Sequence, residues 1–162
     1  MSGYGYVYIE SNANSRERAI TLENRSEYWG TQDGSPALVE IVGPSAVNPE
    51  WKLVQDGQLV ADAKFLVTLA DNQRLVVSSY PEDMYARVYN SDGTYSDVSQ
   101  YADFTKANFI RVPSGTSTFL GVMDKLATLN VMFKEERLLV WVTAFWLLYL
   151  AKTLPWQAPI QS

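Results

Sequence analysis

A period-two alternation of side chains, broken at short intervals by turn-forming pairs, constrains this chain more than any other feature. Tyr4, Tyr6 and Tyr8 alternate with Gly5, Val7 and Ile9, a spacing that puts like residues on one face of a β-strand. Trp51 to Val54 and Leu59 to Ala63 flank Gln55-Asp56-Gly57-Gln58. The Asp-Gly pair admits positive φ at both central positions, as a type I′ hairpin requires. Tyr85 to Tyr89 and Thr94 to Val98 flank Ser91-Asp92-Gly93 in the same way, and Phe65 to Leu69 with Leu75 to Val77 flank Asp71-Asn72. Shorter β-rich runs cover Ala19 to Leu22, Ala37 to Val42, Phe109 to Val112, Thr118 to Met123 and Leu129 to Phe133. Gly43-Pro44 and Pro113-Ser114-Gly115 mark turns, and Glu23 to Ser35 reads as loop. The pattern predicts an all-β, mainly antiparallel fold: a β-sandwich or partly closed barrel, with room for a short helix.

One segment departs from this rhythm. Leu138 to Ala151 (LLVWVTAFWLLYLA) is almost wholly apolar, with Lys152 and Pro155 behind it. Fourteen helical residues reach about 21 Å, short of the roughly 30 Å hydrocarbon core of a bilayer. A helix apolar on every side must be buried in a core, a subunit contact or a membrane surface, and the first half of this run equally suits an extension of the preceding strand. Residues 1–137 therefore read as one sandwich domain, and 138–162 as an apolar C-terminal segment that docks or contacts a partner.

With 47% apolar and 13% aromatic residues the chain has the material for a real core. It holds neither cysteine nor histidine, which excludes disulfides, zinc sites built on those residues and Ser-His or Cys-His nucleophilic dyads. The formal charge is −5, without the basic face that a duplex-binding protein uses to displace counterions. Arg16 and Arg18 are the nearest thing to a cationic cluster, and a loop of mixed charge is normally just solvated. Met1 to Gly5 carries neither a basic n-region nor an apolar h-region, so the sequence reads as one made in a cytoplasm.

Paired carboxylates remain the one catalytic device that composition permits. For the candidates Glu82-Asp83, Asp97, Asp103 and Glu135-Glu136, adjacent residues in a strand point to opposite faces and nothing suggests a shared cleft, so a solvated face or turn is their expected role. Asn90 to Thr94 matches the start of a calcium loop, but the bidentate Glu is missing. No catalytic, cofactor-binding or metal-ligating set is expected, and the chain reads as a non-enzyme. The aromatics Tyr4, Tyr6, Tyr8, Trp29, Trp51, Tyr80, Tyr85 and Tyr89 suit core or subunit contact, with a carbohydrate-stacking platform as the alternative.

The order of motifs in the middle of the chain carries a resemblance. Val39-Glu40-Ile41-Val42-Gly43-Pro44, then Asn48-Pro49-Glu50-Trp51-Lys52-Leu53, then Asp56-Gly57, lead on to Leu75-Val76-Val77 and a tyrosine-rich hairpin. Asp103-Phe104 and the run Phe109 to Phe119 (FIRVPSGTSTF) follow, and Val131 to Arg137 resembles a closing strand. Together these are similar to the N-terminal domain of distal tail proteins of long-tailed phages. That resemblance implies a β-sandwich-like domain that forms a hexameric ring between the tail tube and the tail-tip or baseplate proteins, in the virion tail tip. It implies contacts with further copies of itself and with those neighbours, and a channel through which DNA passes ungripped. Neither sequence-specific nucleic acid nor a membrane is an expected partner. The apolar segment from Leu138 and the lack of a further C-terminal domain depart from the family. Tyr4, Tyr6, Tyr8, Trp141, Phe145, Trp146 and Tyr149 are the candidate interface residues.

Overall fold

Eleven strands and one short 3-10 helix make up the computed structural model of this chain, which describes residues 5–10, 15–27 and 33–135. The strands are β1 (Gly5–Glu10), β2 (Glu17–Asn24), β3 (Ser35–Val42), β4 (Glu50–Gln55), β5 (Gln58–Lys64), β6 (Arg74–Tyr80), β7 (Asp83–Tyr89), β8 (Tyr95–Asp97), β9 (Arg111–Val112), β10 (Gly115–Val122) and β11 (Thr128–Lys134). The helical turn spans Ser99–Tyr101. Two sheets face each other. The larger runs β1-β11-β3-β6-β7-β8, with β9 added to the start of β3, and the smaller runs β2-β10-β4-β5. Every pairing between these strands is antiparallel. The sheets remain two open layers, so the sandwich is the observed architecture and the barrel is not.

The alternation that predicts the strands also builds the core. Along β2 the burial pattern is strictly alternate, with Ile20 and Leu22 inside and Glu17, Ala19, Thr21 and Glu23 outside. Burying one face of each sheet against the other removes apolar surface from water, at about 25 cal/mol per Å². At the centre Trp51 is fully buried and stacks with Phe65 at 5.5 Å and Phe119 at 6.3 Å between ring centroids. Val39, Ile41, Leu75, Leu129, Val131 and Phe133 close the core from the larger sheet.

Two of the expected hairpins form as the turn chemistry requires. Asp56 and Gly57 have φ of 51° and 74° between β4 and β5, the two positive values that a type I′ turn needs. Asn90 to Thr94 joins β7 to β8, with Thr94 donating to the Asp92 carboxylate at 2.9 Å. The hairpin expected around Asp71-Asn72 does not form. Residues 65 to 69 make only isolated bridges, Phe65 to Ala102 and Leu69 to Ser45, while β6 pairs with β3 and β7. The physical reason is the run of buried residues from Leu75 to Ser79, which places β6 in the middle of the larger sheet. The segment read as loop is also shorter than expected, because β2 continues to Asn24 and β3 begins at Ser35. The expected boundary between 137 and 138, and all of 138–162, lie outside the described residues.

Candidate assembly surfaces

Two of the carboxylates singled out as potential acid–base groups, Asp97 and Asp103, are engaged in their own turns. Asp97 Oδ1 accepts the Ser99 amide at 2.9 Å at the start of the helical turn, and the same contact holds its carboxyl below the usual aspartate range. Asp103 Oδ1 accepts from the Thr105 hydroxyl at 2.7 Å and the Thr105 amide at 3.0 Å, which also lowers its pKa. The Thr94 hydroxyl and amide lower Asp92 in the same way. Stabilising the ionised form suits a turn cap, whereas a general acid at neutral pH needs its pKa raised. Glu82 and Asp83 are exposed at the β6–β7 turn, and the buried Glu135 accepts the Arg25 amide at 3.0 Å. Glu136 lies outside the described residues. Among the described residues no group of three or more His, Cys, Asp or Glu side chains is placed to hold a metal ion.

Arg18 is an element that the sequence reading misassigned. Far from being solvated in a loop, it is 4% exposed on the inner face of β2. Its guanidinium donates to the carbonyls of Asp124 at 3.0 Å and Lys125 at 2.9 Å, and also to that of Ala127. It thereby fastens the turn between β10 and β11 to the first strand of the smaller sheet. Charge-assisted bonds to several carbonyls are what make such a burial tolerable.

The aromatics divide by role. Trp51 belongs to the core, so it is withdrawn from any stacking platform. On the outer face of the larger sheet the Arg87 guanidinium lies 4.0 Å from the Tyr85 ring centroid and 4.6 Å from that of Tyr95. Arg74 lies 5.1 Å from the Tyr89 ring, which itself packs on Tyr95 at 5.4 Å. Burial, together with the neighbouring Tyr89, raises the Tyr85 hydroxyl pKa. These rings are already stacked by arginines, each pair a cation–π contact. Register pairs Tyr6 with Phe133 and Tyr8 with Val131 in β1, an edge strand among the described residues. Tyr4, Trp29, Trp141, Phe145, Trp146 and Tyr149 lie outside the described residues.

The most heavily constructed surface feature is the loop that follows the helical turn, and sequence reasoning did not single it out as a site. Its backbone runs beside the second half of β5. The Leu66 amide donates to Tyr101 O, the Asp103 amide to Lys64 O and the Asn108 amide to Asp62 O, at 2.8, 2.9 and 3.0 Å. Asn108 holds the loop's return in the left-handed region at φ 62°. Its side chain donates to Asp103 O at 2.7 Å and Lys106 O at 3.1 Å and accepts the Lys64 amide at 3.1 Å. Lys106 reaches Asp62 at 2.7 Å and Glu50 at 3.8 Å, and Lys64 reaches Glu50 at 3.3 Å. The hydrogen bond to Asp62, aided by the nearby carboxylates, holds the Lys106 ammonium above its usual pKa. Between Asp103 and Lys106 the chain makes a tight turn, and Phe104 projects from it 82% exposed. A local signal existed: Asp103-Phe104-Thr105 carries the Asp and Thr of a side-chain-capped turn, with an aromatic where solvent is expected.

This loop covers the β5 edge from Asp62 onward. Before it, Gln58, Leu59 and Val60 are exposed, Leu59 at 57%. The other margin of the same sheet is β2, which among the described residues pairs only with β10. Among the described residues the smaller sheet thus ends in two strand edges, one of them apolar, and such edges favour pairing with another chain.

No protein-family model matches the sequence, and no curated protein matches it. Among solved structures the fold resembles the SPP1 Dit protein, presented with its crystal structure as a paradigm of the hub adsorption apparatus in phages that infect Gram-positive bacteria. The TM-score is 0.53 at 13% identity, over 80% of this chain and 46% of that one. This chain therefore spans under half the length of that protein, and at such identity what the two share is the fold.

Proposed function

We propose that this protein is a structural subunit of a phage tail tip, a distal-tail-like ring that joins the tail tube to tail-tip or baseplate proteins. The observation that carries the proposal is the fold it shares with a phage hub protein across four-fifths of its length. The resemblance read from the motif order in residues 18 to 140 points the same way. The edges of the smaller sheet support it, because a ring needs a heterologous contact in which one surface meets a different surface of the next copy. β2 and the uncovered start of β5 are two such surfaces at opposite margins of one sheet. Head-to-tail pairing of the two leaves neither of these edges of the smaller sheet open once the ring closes. The net charge of −5 accords with a channel that DNA traverses without being held, since like charges repel. Its partners in this reading are further copies of itself, the tail tube protein and the tip proteins, in the virion tail tip. No catalytic step is assigned to it.

The test is the solution mass of the purified chain by light scattering, with negative-stain images. A hexameric ring is the expected result. A monomer at every concentration, unchanged by added tail tube protein, counts against the proposal.

A further inference from the structure

Register fixes the height of the Phe104 loop relative to everything else on the smaller sheet. Glu17 of β2 is paired with Val122 of β10, Val122 with Glu50 of β4, and Glu50 with Lys64 of β5. The Lys64 carbonyl then accepts the Asp103 amide. One row of neighbours therefore crosses the sheet from Glu17 to the residue immediately before Phe104. At the far end of that row stands the exposed Phe104, and Tyr101 and Leu66, joined by a backbone hydrogen bond, are exposed on the neighbouring segments. From the near end a groove of about 540 Å³ runs across β2, β10 and β4: its apolar lining is Ala19, Leu120, Val122 and Trp51, and Ser15, Glu17, Glu50 and Lys52 are among its polar residues. Leu120 is itself exposed there.

We infer that the Phe104 projection of one copy seats in the Ala19–Leu120–Val122 groove of the next. This inference rests on the ring reading and specifies its contact. The projection stands beyond β5 at one margin of the sheet, and the groove opens at the other, on β2, and runs inward across β10 to β4, so the two can meet head to tail. Continuing the row from Asp103 into the Glu17 of a neighbouring copy brings the projection to the end of β2 where the groove opens. The loop is rigidly held by the Asn108 bonds and the Lys106 ion pairs, so little freedom is lost when Phe104 docks. An aromatic side chain entering an apolar pocket ringed by polar groups has the make-up of an interface hot spot. The row also explains why the loop covers only the second half of β5. It leaves Gln58 to Ala61 for strand pairing and supplies a side-chain contact at the other height.

The experiment uses the full chain with Phe104→Asp, Ala19→Arg, and the pair Phe104→Cys and Ala19→Cys in one molecule. Both positions are exposed, and the chain has no cysteine of its own. Circular dichroism establishes that each variant folds. Each single charge substitution is expected to raise the concentration for half-assembly about thirtyfold or more, the scale of losing a hot spot. Under oxidation the double-cysteine variant is expected to give a ladder of covalent multimers that a reductant collapses. Either cysteine alone gives nothing beyond a dimer. A wild-type ring that persists in both charge variants, with no ladder, overturns this contact and leaves the ring reading standing. A wild type that stays monomeric with added tail tube protein, with no ladder, overturns both.

Discussion

Replacing Asn108 by alanine tests whether the Phe104 loop is held as rigidly as its bonds suggest. The side chain is almost fully buried and makes three hydrogen bonds, two donated to Asp103 O and Lys106 O and one accepted from the Lys64 amide. Net hydrogen-bond contributions run near 1 kcal/mol, and the carbonyls of this surface loop regain water when the amide is lost. Their combined loss is therefore about 2 kcal/mol. The backbone adds to this, because φ is 62° and alanine in the left-handed region costs about 1 kcal/mol more than asparagine. The expected total is about 3 kcal/mol. Asn108→Gly loses the same bonds without the steric penalty, so it recovers about 1 kcal/mol of that loss. Urea denaturation reads the global part, and amide exchange at Leu66, Asp103 and Asn108 reads local release of the loop. Alanine and glycine variants of equal stability refute the backbone argument. Unchanged exchange in both refutes the view that Asn108 is what holds the loop.

Other consequences are more direct. Trp51→Ala removes the centre of the aromatic stack and should cost about 3–5 kcal/mol in urea denaturation, a loss below 1 kcal/mol being inconsistent with its full burial. Arg18→Met strips three carbonyls of their donor and should cost about 3 kcal/mol, with exchange quickened first at Ala127 and Met123; an unaltered melting temperature would show that the guanidinium is dispensable. The loop should also loosen at both ends of the pH scale. Asp103 has its pKa lowered in the fold, so its contribution is in force above the ordinary aspartate pKa and lost as pH falls through the folded value. Lys106 has its pKa raised, so its contribution is in force below the ordinary lysine pKa and lost as pH rises through the folded value. The Thr105 amide resonance should follow Asp103, and a midpoint at the ordinary aspartate value would contradict the capped turn.

The parts of this fold legible in the sequence are those decided by neighbours along the chain. Asp56-Gly57 and Asp92-Gly93 announce their hairpins because turn geometry is a local demand for positive φ. Trp51 shows the limit of that reading: its type suits a core, an interface or a sugar platform equally, and only packing against Phe65 and Phe119 decides among them. Arg18 reads as solvated because its carbonyl partners lie more than a hundred residues away. The Asp71-Asn72 hairpin failed for a similar reason, since β6 finds longer-range partners in β3 and β7. The proposed assembly surface was legible only in fragments. Asp103 and Thr105 signal a turn locally, but that it rises beside β5, level with Glu17, follows from pairings across the whole sheet.

The position of the last hairpin has a bearing on how the protein is made. β10 lies between β2 and β4 in one sheet, and β11 lies between β1 and β3 in the other. Until that hairpin emerges from the ribosome, each layer is two unconnected pieces, and the early strands must wait for partners made about a hundred residues later. Such distant pairings form slowly. Folding is thus tied to near-completion of the described domain, and a fragment released early lacks both central strands. Neither the β2 margin nor the groove beside it exists in such a fragment, so synthesis itself keeps unfinished chains from presenting either surface.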